Sequence, residues 1–137
     1  MSDIETERQI RYWLLDMDGV LIHEEDPIPG APEFVNRLKE LEIPFLVLTN
    51  SSIYSRRDLS ARLHRSGLEV PEKSIWTSAL ATATFLQDQR PNGSAFVVGE
   101  PGLATAMHEA GYTINESDPD YVVLGETRTY SFERITQ

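Results

Sequence analysis

Two aspartates separated by one residue are the feature of the sequence best suited to chemistry. Asp16 and Asp18 follow an apolar run at residues 11–15, and Gly19 comes directly after them. Side chains two positions apart on an extended strand point to the same side, so we expect both carboxylates to face one site. Gly19 allows a sharp backbone turn there. The less specific interpretation is a pair of solvated aspartates at a strand end.

A second polar cluster, Thr49-Asn50-Ser51-Ser52, follows the next apolar run along the chain, residues 44–48. Its hydroxyl and amide groups are donors of the kind that bind phosphoryl oxygens. Such residues are also ordinary loop and helix-cap material, so the cluster by itself is weak evidence. Its predicted position beside the two aspartates gives it weight.

Both clusters follow runs that predict neighbouring strands of one sheet. Residues 11–15 and 44–48 are continuously apolar, which is typical of parallel strands buried on both faces. Residues 31–41 between them carry apolar side chains at helical spacing. This strand–helix–strand unit places Asp16 and Thr49 at the carboxyl ends of adjacent parallel strands, where α/β proteins bind ligands.

The same alternation continues along the rest of the sequence. Ser55 and Asp58 predict a capped start for the next helix, and Gly67 predicts its end. Further helices are predicted at residues 56–66, 79–89 and 101–110, with one beginning after Ser131, and strands at residues 74–77, 94–98 and 120–125. We therefore predict an α/β fold built on a Rossmann-like parallel sheet.

Composition narrows the range of functions. The 137 residues include 22 acidic and 12 basic side chains, for a formal net charge of −10, and no cysteine. The charge disfavours nucleic acid and anionic membrane surfaces as partners. The lack of cysteine excludes disulfides, a thiolate zinc site and cysteine nucleophiles, and it fits a cytoplasmic location. Every apolar run is far shorter than the ~20 residues that span a bilayer.

The motifs together resemble the haloacid-dehalogenase-like phosphohydrolases, and within them the NagD-like branch of capped sugar-phosphate and nucleotide phosphatases. The resemblance covers nearly the whole chain. It rests on DMDGVL at residues 16–21, PGA at 29–31, LTNSS at 48–52, TSALATA at 77–83, VGE at 98–100 and DYVVLGE at 120–126.

This resemblance implies a hydrolase that transfers the phosphoryl group of a small phosphorylated metabolite to Asp16. Asp16 would be the nucleophile that forms an aspartyl-phosphate, and Asp18 the general acid and then base. The resemblance also implies Mg²⁺, bound by the Asp16 carboxylate and the Asp18 backbone carbonyl. A hard cation of this kind would offset the repulsion between two carboxylates and a phosphate dianion.

The same resemblance assigns the binding of the substrate phosphate. Thr49, Asn50 and Ser51 would hold the transferring phosphoryl oxygens, together with the turn at Gly19. Sugar phosphates and nucleotide monophosphates are both compatible substrates.

Two groups that the family uses have no counterpart in this sequence. The family has a lysine that neutralises the phosphoryl group, whereas Lys39 and Lys73 fall away from the carboxyl ends of strands. It also has a later acidic pair for magnesium, whereas Asp118 and Asp120 precede a strand. We therefore expect the chain to be the N-terminal half of a longer protein and to hydrolyse phosphate esters poorly or not at all by itself.

The expected domain organisation follows from the same family resemblance. Residues 1–90 would form part of the hydrolase core, and residues 91–137 would begin an inserted α/β cap, with the turn at residues 90–93 as the boundary.

Two functions of other classes stay open from the sequence. A phospho-accepting receiver domain has a similar length and acidic strand ends, but it needs a phosphorylated aspartate on a middle strand and a lysine on a late one. A catalytically silent module would bind phosphate without hydrolysing it. Of the lesser signals, residues 99–102 (GEPG) favour a structural turn over a phosphate-binding one, and residues 23–26 (HEED) favour an exposed acidic loop.

Overall fold

Strands and helices alternate along the chain, and the prediction of an α/β fold with parallel sheets is confirmed. The computed structural model describes residues 10–136. The strands are β1 (Trp13–Asp16), β2 (Ile22–His23), β3 (Asp26–Pro27), β4 (Phe45–Thr49), β5 (Ile75–Thr77), β6 (Ser94–Val98), β7 (Thr113–Ile114) and β8 (Tyr121–Leu124). The helices are α1 (Ala31–Glu40), α2 (Arg56–Arg65), α3 (Ser78–Gln89), α4 (Pro101–Glu109) and α5 (Phe132–Thr136), with a 3-10 turn at Glu72–Ser74. Within this part of the chain, no helix combines the length and the apolar composition that a membrane span requires.

The first sheet has the strand order β1-β4-β5, and all three strands are parallel. Helices α1 and α2 pack on one of its faces and bury a cluster that includes Leu15, Val35, Val47, Leu59 and Ile75. Helix α2 begins with a capping box, since the Ser55 side chain accepts from the Asp58 N–H and the Asp58 side chain accepts from the Ser55 N–H. The predicted start of this helix is thereby confirmed.

The prediction that the first strand is buried on both faces is wrong for the described residues. Leu15 is 7% exposed, whereas its neighbour Leu14 is 68% exposed. Helices α1 and α2 both lie on the Leu15 face, so the described chain supplies no layer for the Leu14 face. β1 is also the edge strand of this sheet.

The second sheet has the order β7-β6-β8 and is also parallel. Helices α3 and α4 pack on one face of it, around Ala83, Val97, Met107 and Val123. The buried Tyr112 hydroxyl lies 2.7 Å from the Leu86 carbonyl oxygen and 2.6 Å from that of Arg90. Burial raises the pKa of Tyr112, so the hydroxyl stays protonated as a donor to these helix-end carbonyls.

Helix α3 belongs by its contacts to the second of the two hydrophobic clusters. Its inward residues Ala79, Ala83 and Leu86 pack with β6, α4 and β8, not with the first sheet. Along the chain, the boundary between the two hydrophobic clusters therefore falls between β5 and α3. The expected boundary between residues 90 and 91 stays a prediction.

Asp120 makes a structural contact at the amino end of β8, as its position before a strand predicts. Its carboxylate accepts from the Ser94 N–H at 2.8 Å and from the Ser94 hydroxyl at 3.1 Å, and it pairs with Arg90 at 2.8 Å. The backbone hydrogen bond from Ser94, together with its hydroxyl and the Arg90 charge, lowers the pKa of Asp120. The carboxylate therefore joins the starts of β6 and β8.

The lowered pKa predicts an acid-dependent contribution of Asp120 to stability. A carboxyl whose folded pKa is depressed stabilises the fold above its unfolded pKa, about 4, and this contribution is lost as the pH falls through the folded pKa. Asp120→Asn keeps one accepting oxygen but does not titrate. We expect urea unfolding at pH 6 and pH 3 to show a smaller acid-induced loss of stability in Asp120→Asn than in the wild type. Asp88→Asn, at an exposed position on α3, is the control, and an equal loss in all three proteins would contradict the prediction.

Candidate active site

The carboxyl ends of three parallel strands meet at one edge of the first sheet. β1 ends at Asp16, β4 at Thr49 and β5 at Thr77. Asp16 pairs in register with Leu48, and Thr49 pairs with Thr77. The two predicted clusters therefore lie on adjacent strands at the same edge of the sheet, which is the expected ligand-binding edge of an open α/β sheet.

The alternation predicted for the two aspartates is seen in their burial. Met17 is only 1% exposed, whereas Asp16 and Asp18 on either side of it are both exposed. The Met17 N–H donates to the Leu48 carbonyl at 3.1 Å and lies 2.9 Å from Asp16 Oδ1. Anchoring Met17 in the core in this way leaves the carboxylates of its two neighbours open to solvent.

A tight turn follows the aspartates and fixes the backbone between β1 and β2. The N–H groups of Leu21 and Ile22 both donate to the Met17 carbonyl, at 3.0 and 3.1 Å, and the Gly19 N–H donates to the Ile22 carbonyl at 2.7 Å. Gly19 has a φ of 82°, which disfavours side chains, although no atom lies within 4 Å of a Cβ added there. The conformation of the turn, rather than lack of space, therefore requires the glycine.

The β4–α2 loop, residues 50–55, holds the second cluster in a chain of hydrogen bonds. The Ser51 N–H donates to Thr49 Oγ1 at 3.2 Å, and the Ile53 N–H donates to Ser51 Oγ at 3.3 Å. Thr49 is buried, Ser51 is half-buried and Asn50 is exposed. A hydroxyl that accepts from an amide keeps its own proton to donate, so both hydroxyls still have a donor for a ligand.

Two further serines take part in this arrangement: Ser78, which the predicted site did not include, and Ser52, which belongs to the predicted polar cluster but was assigned no phosphate contact. The Ser78 hydroxyl, at the start of α3, donates to the Asn50 carbonyl at 2.7 Å and so joins the loop to the end of β5. Ser52 is buried and its hydroxyl accepts from the Glu126 N–H at 2.9 Å. The Thr77-Ser78 pair at a strand-to-helix junction is a signal for Ser78, whereas no local pattern indicates the partner of Ser52.

The positions of lysines and of metal-binding side chains relative to this edge bear on its chemistry. Among residues 10–136, no three histidine, cysteine, aspartate or glutamate side chains group closely enough to hold a metal ion. Lys39 lies in the last turn of α1, which leads to the start of β4, and Lys73 lies in the 3-10 turn before β5. Both lysines are therefore at the amino edge of the sheet, opposite Asp16.

The GEPG segment is a structural turn, as the sequence favours. The Glu100 carboxylate accepts from the Thr127 hydroxyl at 2.6 Å, and the Gly102 N–H donates to the Ile53 carbonyl at 2.9 Å. The first turn of α4 therefore contacts protein groups. Arg56 likewise pairs with Glu109, at 2.7 Å, instead of reaching the aspartates.

The HEED segment is exposed as expected, but it is part of a short hairpin. β2 and β3 pair antiparallel, with His23 opposite Asp26. The Arg62 guanidinium donates to the Glu24 carbonyl at 2.6 Å and to the Glu25 carboxylate at 3.2 Å. These contacts attach the hairpin to α2, just beyond the turn that carries Asp18.

An acidic pair and a hydroxyl-rich loop at the carboxyl edge of a parallel sheet are typical of α/β proteins that bind ligands at that edge. The chain belongs to the haloacid dehalogenase-like hydrolase family, whose model matches residues 13–113. This membership confirms the predicted resemblance and decides against a receiver domain.

Individual relatives give a consistent result. The chain is 58% identical over 124 residues to dihydroxyacetone phosphatase of Corynebacterium glutamicum (strain R), which covers 90% of the chain and 45% of that protein. It is 40% identical over 126 residues to the ribonucleotide monophosphatase NagD of Escherichia coli (strain K12), covering 92% of the chain and 50% of the relative. The solved structure of NagD from the E. coli K-12 strain matches with a TM-score of 0.86 at 38% identity, over 93% of the chain and 50% of that structure. The chain thus spans about half the length of the curated relatives it matches.

Proposed function

We propose that the protein is a Mg²⁺-dependent phosphate monoester hydrolase that acts through an aspartyl-phosphate on Asp16. The supporting observation is that the exposed Asp16 at the end of β1 and the buried Thr49 at the end of β4 lie on adjacent parallel strands at the same edge of the sheet. Family membership and the phosphatase names of the relatives support the same reaction class. The substrate is a small phosphorylated metabolite, either a sugar phosphate or a nucleotide monophosphate.

In the first step, an Asp16 carboxylate oxygen attacks phosphorus in line with the ester oxygen. The new oxygen–phosphorus bond forms as the bond to the substrate oxygen breaks, and the Asp18 carboxyl donates its proton to the departing alkoxide. Asp18 suits this role because it lies two residues beyond the nucleophile and, like Asp16, is exposed.

In the second step, a water molecule hydrolyses the aspartyl-phosphate. The Asp18 carboxylate, now deprotonated, accepts a proton from the water as its oxygen bonds to phosphorus. The bond between phosphorus and the Asp16 oxygen breaks, which releases inorganic phosphate and regenerates both carboxyl groups. Each aspartate therefore returns to its starting state after one turnover.

The phosphoryl oxygens are held by donors from two loops. Thr49 and Ser51 contribute hydroxyl protons, and Asn50 contributes its side-chain amide from an exposed position. Gly19 contributes a backbone turn that brings no side chain into the space around Asp18. Donors fixed before the substrate arrives stabilise the charge of the transition state without reorganising.

The oxygen donors of Asp16 and Asp18 suit Mg²⁺, which proteins often bind through one or two carboxylates, with water and substrate phosphate as the other ligands. The Asp16 carboxylate and the Asp18 backbone carbonyl are the groups we assign to it. The three hydrogen bonds of the Met17–Ile22 turn use the carbonyls of Met17 and Ile22, not that of Asp18. The cation would offset the repulsion between the carboxylates and the substrate dianion.

We also assign residues 1–90 to a partial hydrolase core and residues 91–137 to the start of an α/β cap, and we assign the protein to the cytoplasm. The domain boundary follows the family resemblance rather than the hydrophobic contacts of α3, which lie with the second sheet. The cellular location is one that the absence of cysteine from the sequence fits.

Residues 1–137 alone are expected to hydrolyse p-nitrophenyl phosphate poorly or not at all, even with Mg²⁺. The described part of the chain places no lysine at the carboxyl edge of the first sheet and groups no third acidic side chain with Asp16 and Asp18. A steady-state assay that follows p-nitrophenolate checks this. Turnover that depends on Mg²⁺ and is lost in Asp16→Asn would contradict the expectation.

The proposed function is tested with the full-length protein. We expect hydrolysis of p-nitrophenyl phosphate, dihydroxyacetone phosphate and ribonucleotide monophosphates that requires Mg²⁺ and stops with EDTA. The diester bis(p-nitrophenyl) phosphate is the control, because its phosphorus carries one fewer ionisable oxygen and a second bulky group. Hydrolysis that persists in EDTA, or that is as fast on the diester, would refute the proposal.

A further inference from the structure

The β4–α2 loop is attached to the second sheet by two hydrogen bonds between distant parts of the chain. Ser52 Oγ accepts from the Glu126 N–H at 2.9 Å, just after β8. The Ile53 carbonyl accepts from the Gly102 N–H at 2.9 Å, in the first turn of α4. Two elements of the second sheet layer thus fix consecutive residues of a loop that follows the first sheet.

The contact at Ser52 depends on a glycine at the end of β8. Ser52 is only 7% exposed. A Cβ added at Gly125 would lie 3.1 Å from Ser52 Oγ and 2.7 Å from Leu103 Cδ2. A side chain at this position would crowd the Ser52 hydroxyl and the Leu103 side chain, so glycine permits the close approach.

The contact at Ile53 depends on a second glycine. A Cβ added at Gly102 would lie 2.5 Å from the carbonyl carbon of Tyr54 and 2.6 Å from the carbonyl oxygen of Ile53. These are backbone atoms of the loop itself, which cannot rotate away as the end of a side chain can. Any larger residue at position 102 must therefore displace the loop or α4.

The fixed residues are directly connected to the residues assigned to phosphate binding. The Ile53 N–H donates to Ser51 Oγ, and the Ser51 N–H donates to Thr49 Oγ1. Three hydrogen bonds, which share the residues Ser51 and Ile53, therefore link Thr49 to Gly102 on α4. A displacement at Ile53 changes the positions of the Ser51 and Thr49 hydroxyls.

We propose that Ser52 is a positioning residue for the phosphate-binding loop, held by the Glu126 N–H, and that Gly102 and Gly125 are required for this contact between the two sheet layers. The second sheet layer then acts on phosphate binding through the loop, in addition to any contact with the rest of the substrate. This inference rests on the proposed function of Thr49, Asn50 and Ser51.

The test uses steady-state kinetics of the full-length protein. Ser52→Ala removes the acceptor, and we expect it to raise KM for p-nitrophenyl phosphate and Ki for inorganic phosphate about two- to tenfold, with a smaller change in kcat. The reason is that the loop donors already contact the phosphoryl oxygens in the ground state, as well as in the transition state, so displacing the loop weakens the binding of substrate and of inorganic phosphate. Gly102→Ala should lower kcat/KM more, by over about tenfold.

Matched controls separate positioning from a general loss of stability. Ser60→Ala removes a comparable hydroxyl–backbone hydrogen bond, from Ser60 Oγ to the Val70 carbonyl at 2.7 Å, on α2 away from the loop. Gly93→Ala adds a Cβ 3.0 Å from the Tyr112 ring, before β6. We expect both controls to keep the wild-type KM and Ki. Equal KM values in Ser52→Ala, Ser60→Ala and the wild type would overturn the proposal.

Amide hydrogen exchange makes the inference independent of turnover. Ser52→Ala should accelerate exchange at Ser51 and Ile53, and Ser60→Ala should not. If the wild-type protein hydrolysed no phosphate monoester, the proposed function would fail, and the attachment of the loop would be judged by this measurement. Unchanged exchange at both amides in Ser52→Ala would overturn the attachment itself.

Discussion

Replacing Asp16 with asparagine is expected to abolish phosphate monoester hydrolysis while leaving the fold intact. An amide is a far poorer nucleophile than a carboxylate, and loss of a covalent nucleophile costs on the order of 10⁴-fold or more in kcat. The Asp16 side chain is exposed, and asparagine keeps an oxygen where Asp16 Oδ1 lies 2.9 Å from the Met17 N–H. The measurement is kcat for p-nitrophenyl phosphate with Mg²⁺, for the protein at its natural length.

Binding of inorganic phosphate separates a loss of chemistry from a loss of the site. Asp16→Asn should still bind phosphate, observed as shifts of the Asn50 and Ser51 amide signals in NMR spectra. Asp26→Asn, which removes an exposed charge on the neighbouring hairpin, is the control and should keep nearly full activity. If Asp16→Asn kept more than about a tenth of the wild-type kcat, the nucleophile assignment would be wrong. Phosphate binding without turnover in the wild type would favour the silent module.

Replacing Asp18 with asparagine is expected to lower kcat by about 10²- to 10⁴-fold, the usual range for a general acid or base. The effect on the first step should depend on the leaving group. p-Nitrophenolate leaves without a proton, so its release needs little help, whereas an alkoxide from a sugar phosphate needs Asp18. Asp18→Asn should therefore still form aspartyl-phosphate from p-nitrophenyl phosphate but hydrolyse it slowly.

Rapid-quench kinetics test this division of roles. In Asp18→Asn we expect a burst of p-nitrophenolate, equal to at most one per active site, followed by slow turnover. With dihydroxyacetone phosphate we expect no burst of dihydroxyacetone. An unchanged kcat for the sugar phosphate would show that Asp18 transfers no proton. Equal bursts of the leaving group from both substrates would show that Asp18 is not the general acid of the first step.

Most elements of the fold could be predicted because their sequence patterns reflect burial on one face. α1 and α2 bury residues at helical spacing, and both end within one residue of their predicted ends. β6 has the predicted bounds, since all but one of its residues are buried. The hairpin β2–β3 and the strand β7 were missed because two-residue strands with mostly exposed side chains leave no periodicity to detect.

The positions of Asp16 and Thr49 in the sheet were predictable from the sequence. The contacts that attach the β4–α2 loop to the second sheet were not. A short strand–helix–strand unit joins parallel strands that are usually neighbours in the sheet, so Asp16 and Thr49 were expected to end adjacent strands. The bond from Glu126 to Ser52 joins residues separated by 74 positions, and the contact of Gly102 with the loop depends on how α4 meets the first sheet. Such contacts follow from tertiary packing, which local patterns do not carry. The packing of α3 with the second sheet is likewise a tertiary contact.

Covalent phosphorylation of Asp16 can be observed directly. The most direct measurement is to quench the protein at its natural length in acid during turnover with Mg²⁺, reduce it with borohydride and map it by mass spectrometry. Borohydride converts an aspartyl-phosphate to homoserine, and we predict homoserine at position 16 and aspartate at position 18. Homoserine at any other aspartate, or active turnover with no modified residue at position 16, would show that Asp16 is not the nucleophile.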